Sequence, residues 1–223
     1  MYKNAKPILE ANEDSITWLK GERVDLILKT RAKTIVCLPH IASLVIPGKT
    51  LIGAENPKQK FIELTKDMVS GPPIIVTGKN FIKGPGTVIG TEGFNYSVTE
   101  KGISKFPHFG GVIIGDNVEI GTNTCVGRGA LGDTFIGDDT KIDNLVHIGC
   151  NVKIGKRCII ATQSGIGGSC VIGDGVYIGF GCTVKNGITI GDRALIGMGA
   201  IVLKDVPAGE VWVGNPAKKL ERP

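Results

Sequence analysis

A mainly β fold, a left-handed parallel β-helix preceded by a small α/β domain, is what this sequence predicts, and three observations predict it. An aliphatic residue recurs every six positions from Ile136 to Val202. Glycine supplies 33 of the 223 residues, about twice its average share, and much of it follows those aliphatics. Trp, Tyr and Phe together make up only 5% of the chain, so the core must be built from small aliphatic side chains.

The period is the strongest of the three. Ile136, Ile142, Ile148, Ile154, Ile160, Ile166, Ile172, Ile178, Val184, Ile190, Ile196 and Val202 are consecutive hits. In an α-helix residues six apart point about 240° from one another, which smears the aliphatics around the axis; short strands with a corner every six residues keep them on one side. Three such hexads make an 18-residue triangular coil, and stacked coils form a solenoid that buries its aliphatic floor against the next coil. Four residues after each aliphatic stands a small or branched residue, such as Val152, Cys158, Ser164, Cys170 or Cys182, predicting a second inward position. Cys158, Cys170 and Cys182 are thereby core residues. Glycine after the aliphatic is expected to supply corner conformations that a Cβ makes costly. Ile114, Ile120 and Val126 share a phase, and the longer step from Val126 to Ile136 predicts extra residues bulging near GRGALGD. Cys150, two residues after Ile148, is expected at an outward corner that Gly132, Gly168 and Asn186 share one or two coils away.

Residues 1–68 lack the six-residue period. SITWLKGERVDLILKT and KTIVCLPH read as strand, short helix and strand, and KTLIGAENPKQKFIELTKDM as strand, turn and helix, a small α/β domain. Residues 69–110 hold irregular first coils and a long loop from Thr91 to Phe109, which breaks the period as active-site loops do. The β-helix is expected over 111–206 and a C-terminal tail over 207–223.

Composition narrows the functional classes. With 42% apolar and 21% charged residues the chain is not disordered, and the absence of a Gly-X-Y period excludes collagen. The net charge of +5 is spread along the chain, which argues against nucleic-acid binding. The six cysteines show neither the paired spacing of a zinc site nor a signal peptide before them, so no metal is expected and a reduced cytoplasmic setting fits. No stretch approaches the length of a transmembrane segment.

The succession EGFNY, KFPHFGGV, IGDNVEIG, RGALGDT and KIDNLVHIG closely resembles the UDP-3-O-acylglucosamine N-acyltransferase family of lipid A biosynthesis. SITWL, KT and ENPKQKFIEL are similar to that family's nucleotide-binding N-terminal domain. The resemblance implies a homotrimer with active sites between neighbouring β-helices. It implies transfer of an acyl chain from acyl carrier protein to the 2-amine of a UDP-linked, already acylated glucosamine, with acyl-carrier-protein or acyl-CoA thioester as co-substrate and no permanently bound cofactor. Cys150, in HIGCNVKIG, stands where the family has its catalytic histidine. Gly187 stands where the family often has a second histidine, and with Asn186 it marks the donor side of the site. The coils before EGF are a remnant, and the family's helical extension does not follow VGNPAKKLERP. Trp18 stands where the family stacks an aromatic on uracil, whereas Gly21 and Val24 replace an amide and a second aromatic.

Attack of an amine on a thioester needs a deprotonated amine, a proton acceptor and donors facing the developing oxyanion. Three readings remain open. His147, which precedes inward Ile148 and so projects outward, serves as base; or positioning of a substrate amine suffices; or Cys150 carries the acyl group with His147 as activator. Gly168, one coil beyond Cys150, offers a backbone N–H to the oxyanion. Asp143 and Asn144 either orient a histidine, bind the sugar, or form a solvated corner. Phe94, Tyr96 and His108 of the long loop are expected to cover the sugar. Two other functions stay in play: a short-chain acetyltransferase using acetyl-CoA, for which the VGNPAKKL ending speaks, and a non-catalytic trimer that binds nucleotide sugars.

Overall fold

The computed structural model describes residues 4–68, 71–100 and 102–221. The chain divides into two compact units. One comprises the residues up to Pro72 with Phe94–Gly110 and Ala130–Gly132; the other comprises Pro73–Gly93, Gly111–Gly129 and the residues from Asp133 onward.

In the first unit, β1 (Asn4–Ala5), β2 (Ser15–Trp18), β3 (Thr34–Cys37) and β4 (Thr50–Gly53) form a parallel sheet in that order. Helices α1 (Val24–Lys29), α2 (Pro39–Ala42) and α3 (Pro57–Thr65) lie between or after them. The strand–helix–strand expectation is met, with β1 and α2 as additions. Alternation along β3 feeds two cores. Ile35 and Cys37 join Leu19, Ile27 and Ile41 in one, while Val36 joins Ile16, Phe61, Ile62 and Phe106 in the other. Helix α3 starts where Asn56 Oδ1 accepts the Gln59 N–H at 3.0 Å and Pro57 enters the first turn, a helix start that satisfies an otherwise unpaired donor. The Thr91–Phe109 insertion contains an antiparallel hairpin of Tyr96–Thr99 and Gly102–Lys105.

The second unit is a parallel β-solenoid with three faces of six, eight and six strands. Ile136 pairs with Ile154, and Ile154 with Ile172, so one coil takes 18 residues. Val112 pairs with Thr134, a step of 22, because four extra residues are accommodated between them. Ile75 pairs with Val112, a step of 37, which is one coil plus the inserted hairpin segment. Strands Ile75–Thr77, Ile82–Lys83 and Val88–Thr91 therefore pair as a first coil, with one register shift where Thr91 meets Gly127. Beyond 206, Val211–Val213 still pairs in parallel with Leu195–Ile196 and then antiparallel with Lys218–Lys219, so the solenoid continues into the stretch expected to be a tail.

Glycine's role differs from the one expected. Left-handed backbone falls three residues after each aliphatic, at Asp139, Leu145, Asn151, Arg157, Gln163, Ser169, Gly175, Gly181, Gly187, Arg193 and Gly199. Most of these are not glycine. The glycine immediately after the aliphatic is instead required by stacking: a Cβ at Gly149 would stand 2.6 Å from Gly168 N, and one at Gly137 would stand 2.7 Å from the Gly155 carbonyl carbon. On one edge an aspartate follows that glycine and caps the coil before it. Asp138 Oδ1 accepts the Asp116 N–H, Asp174 Oδ1 that of Lys156, and Asp192 Oδ1 that of Asp174. The recurring Ile-Gly-Asp triplet is thus a stacking device.

The second inward position also carries more than packing. Cys158, Cys170 and Cys182 are fully buried, and each Sγ donates to a carbonyl of the next coil, those of Gly173, Lys185 and Gly197, at 3.0 to 3.1 Å. Ser164 and Thr140 make the same bond through oxygen. Burial pushes the three buried thiols up, as expected when the charged form is desolvated.

Candidate functional site

The face that carries His147 is built from Val88–Thr91, Cys125–Gly127, His147–Ile148, Gly165–Ile166, Thr183–Val184 and Ile201–Val202. Because Val126, Ile148, Ile166, Val184 and Val202 point inward and are buried, their predecessors project outward. Register places Cys125, His147, Gly165, Thr183 and Ile201 in one outward column. Gly165 interrupts that column: nothing lies within 4 Å of where its Cβ would be. The result is an open depression of about 450 Å³ lined by His147, Gly165, Gly167, Thr183, Lys185 and Asn186, with Ile166 and Val184 at its floor. His147 is exposed at its edge.

The corner that follows this face holds Cys150, Gly168 and Asn186, stacked in that order. A Cβ at Gly168 would stand 3.3 Å from Cys150 Sγ and 3.2 Å from its carbonyl oxygen. Burial pushes the Cys150 thiol up, with only its own backbone N–H acting in the opposite direction. Among the described residues no cation pulls it toward thiolate, so the corner itself does not prepare Cys150 for nucleophilic attack. Gly187 takes the left-handed conformation one residue beyond Asn186 and is exposed.

A plain 18-residue count makes Gly132 the partner of Cys150 in the preceding coil. The 22-residue step makes it Arg128 instead, since Val126 pairs with Ile148. Gly132 belongs to the other unit, close to Pro7 and Glu10. Arg128 is only 4% exposed. Burial lowers its pKa, while the charges of Glu92 and Asp133 act to raise it. The long Val126–Ile136 step in the sequence is the signal for this residue, and subtracting a plain coil from Cys150 overlooks it.

Asp143 and Asn144 are exposed, yet their side chains are engaged in coil stacking. Asn144 Oδ1 accepts the Thr122 N–H at 2.6 Å; the Asp143 carboxylate accepts the N–H groups of Asn144 at 2.7 Å and Thr162 at 3.2 Å. None of these bonds is to His147. In the first unit, Trp18 is half-buried against the Phe61–Phe106 core. Phe94 is 94% exposed and packs edge-on against Tyr96 with ring centroids 4.9 Å apart. His108 corrects the expectation of a sugar-facing side chain: it has no exposed surface and lies edge-on to Phe106 at 6.4 Å. Among the described residues no group of three His, Cys, Asp or Glu is arranged to hold a metal ion, and no helix is long and apolar enough to cross a membrane.

Residues 133–168 and 169–204 match the family model described as bacterial transferase hexapeptide (six repeats). A UDP-3-O-acylglucosamine N-acyltransferase of Caulobacter vibrioides (strain NA1000 / CB15N) is 52% identical over 145 residues, covering 65% of this chain and 43% of the relative. Its counterpart in Caulobacter sp. (strain K31) is 50% identical over 137 residues, covering 61% of this chain and 40% of the relative. The matches thus span less than half of each relative's length. Among solved structures, a UDP-N-acetylglucosamine O-acyltransferase of Moraxella catarrhalis RH4 aligns with a TM-score of 0.59 at 22% identity, covering 85% of this chain and 61% of that one. A UDP-N-acetylglucosamine acyltransferase of Bacteroides fragilis 9343 aligns with a TM-score of 0.58 at 18% identity, covering 92% and 60%. These structural likenesses establish the fold, a left-handed parallel β-helix, as the period predicts.

Proposed function

We propose that this chain, which is 52% identical over 145 residues to a UDP-3-O-acylglucosamine N-acyltransferase and matches the hexapeptide model over 133–204, transfers an acyl group from a thioester donor to the amine of a UDP-linked amino sugar, in lipid A or surface-polysaccharide assembly. The 52% identity over 145 residues carries this reading. The depression beside His147 supports it, because it offers an outward imidazole beside a space cleared by Gly165.

In this reading the acceptor amine enters the depression and His147 takes its proton as the nitrogen attacks the thioester carbonyl. The carbonyl oxygen gains negative charge, and backbone N–H donors aimed at it stabilise that charge far more in an enclosed site than water does. Gly168 suits this role, because its N–H has no partner among the described residues and its missing side chain leaves the corner above Cys150 open. Asn186 and Lys185 stand on the far side of the depression, where the donor's pantetheine arm would run. Within the first unit, Trp18 offers an indole on which a nucleobase could stack, and Phe94 and Tyr96 an aromatic edge. The assembly proposed is a homotrimer in the cytoplasm. An exposed in-register ladder of Ile159, Tyr177 and Leu195 on a neighbouring face supports self-association.

The test is a transfer assay on purified protein with UDP-amino sugars as acceptors and acyl-carrier-protein, long-chain acyl-CoA and acetyl-CoA donors in competition. Transfer to nitrogen with a long-chain preference is expected. Preference for acetyl-CoA would select the acetyltransferase reading, and sugar binding without any transfer would select the non-catalytic trimer.

A further inference from the structure

The hairpin of Tyr96–Thr99 and Gly102–Lys105 turns its polar face inward. Side chains alternate between the two faces of a strand, and here Ser97 pairs with Ser104 while Val98 pairs with Ile103. Ser97 is buried, whereas Val98 and Ile103 are 77% and 72% exposed. Apolar burial along its strands therefore does little to hold this hairpin, and a two-stranded hairpin alone is marginal in water. Its attachment lies at its base. Lys58, in the first turn of α3, donates from Nζ to Asn95 Oδ1 at 3.0 Å and to the Tyr96 carbonyl at 3.3 Å. The same ammonium stands 5.8 Å from the ring centroid of Phe106, and that ring stacks on Phe61 at 5.5 Å. The Phe106 N–H donates to the Asn95 carbonyl at 2.8 Å, so the two ends of the hairpin meet beside Lys58. All of these residues belong to the first unit. Helix stability does not call for a lysine at this position, because a cation in the first turn opposes the helix dipole.

We infer that Lys58 is a positioning residue: its ammonium pins the base of the hairpin to α3 and thereby fixes where the Phe94–Tyr96 ring pair stands. Phe94 precedes Asn95 and Tyr96 follows it, so the two rings, 4.9 Å apart, flank the residue that Lys58 grips. The core beneath the pin, Phe61 and Phe106, also packs against Trp18. One cation thus ties the aromatic edge and the indole to a common support. An ammonium suits the task because it carries three donors on a flexible stem, and two oxygens and a ring face surround it here. A methionine in its place keeps an apolar stem against Phe106 and loses both hydrogen bonds. The inference rests on the acyltransferase reading only for what the ring pair meets, the UDP-linked acceptor.

Hydrogen–deuterium exchange on the full chain tests the pin without any substrate. In Lys58→Met the hairpin amides are expected to exchange about tenfold faster, while those of Ser15–Trp18 and Thr34–Cys37 keep their rates, as local opening requires. Asn95→Ala, which removes one of the two acceptors, should give a smaller increase, and the double variant no more than Lys58→Met alone. Lys58→Arg keeps the charge and the donors and should recover most of the protection. In the transfer assay, the KM for the UDP-amino sugar should rise about fivefold in Lys58→Met with kcat unchanged within about twofold, the pattern of lost binding rather than lost chemistry. Hairpin exchange indifferent to Lys58→Met, or faster to the same degree in both sheet strands, overturns the inference. A loosened hairpin with an unchanged acceptor KM also overturns it, while leaving the acyltransferase reading intact. In a protein that transfers to no acceptor, selective loosening of the hairpin upholds the pin while the acyltransferase reading falls.

Discussion

Gly168 sits directly on Cys150, so close that a methyl group there would stand 3.3 Å from the sulfur and 3.2 Å from the carbonyl oxygen. Gly168→Ala is expected to lower stability by about 1 kcal/mol through mild overpacking and to reduce acyl transfer by a larger factor, because the new methyl closes the space above Cys150. Adding Cys150→Ala removes the sulfur contact but not the carbonyl one, so the melting temperature should recover only in part. Partial recovery of stability without recovery of kcat would separate packing from the role of the Gly168 N–H.

The two kinds of corner position respond oppositely to substitution. Gly149→Ala drives a Cβ against the Gly168 backbone at 2.6 Å, which cannot move without separating the coils, and a loss of roughly 1–3 kcal/mol is expected. Leu145 holds φ 58° with an exposed side chain. Leu145→Asn places a residue tolerant of that conformation and should gain about 0.5–1 kcal/mol. Denaturant midpoints of both variants at constant slope check the pair.

Cys158 tests the inward donors. Cys158→Ser keeps a donor for the Gly173 carbonyl, as Ser164 does for Gly179, and should cost no more than about 1 kcal/mol. Cys158→Val fills the space but removes the donor, and leaving a buried acceptor unpaired costs about 1–3 kcal/mol. Urea unfolding that ranks valine above serine would contradict the hydrogen-bonding role.

Acid should weaken the solenoid through specific carboxylates. The Lys156 ammonium at 2.8 Å and the Asp116 N–H hold Asp138 below the usual carboxylate range. Lys219 and then the Trp212 indole do the same for Glu210. A carboxyl lowered on folding contributes stability that is present above its unfolded pKa of about 4 and lost as pH falls through the folded value. Melting temperature should therefore drop below about pH 4, with a shallower drop in Asp138→Asn. An unchanged acid slope in that variant would place the loss elsewhere.

Periodicity makes the fold legible because one buried side chain in six repeats without interruption from Ile136 to Val202, and its phase correctly sends Cys158, Cys170 and Cys182 inward. It also foretells the outward setting of His147. Three things escape it. A repeat reports which residues face in, but not why its glycines are small, so close stacking looks like corner strain. Counting back one coil from Cys150 crosses the four-residue excess and reaches Gly132 instead of Arg128. His108 is buried edge-on to Phe106, and a stretch without a repeat carries no period that tells inward from outward side chains.

The 37-residue step between Ile75 and Val112 has a kinetic meaning. Regular coils close loops of 18 residues, and a loop about twice as long costs roughly 0.6 kcal/mol more in closure entropy. Solenoids assemble by adding each repeat to a neighbour already in place, so the uninterrupted coils after Asp133 offer the cheapest nucleus. Strands Ile75–Thr77, Ile82–Lys83 and Val88–Thr91 must wait for the hairpin segment between them and their partners to be drawn in, which makes this coil the last to zip and the first to fray.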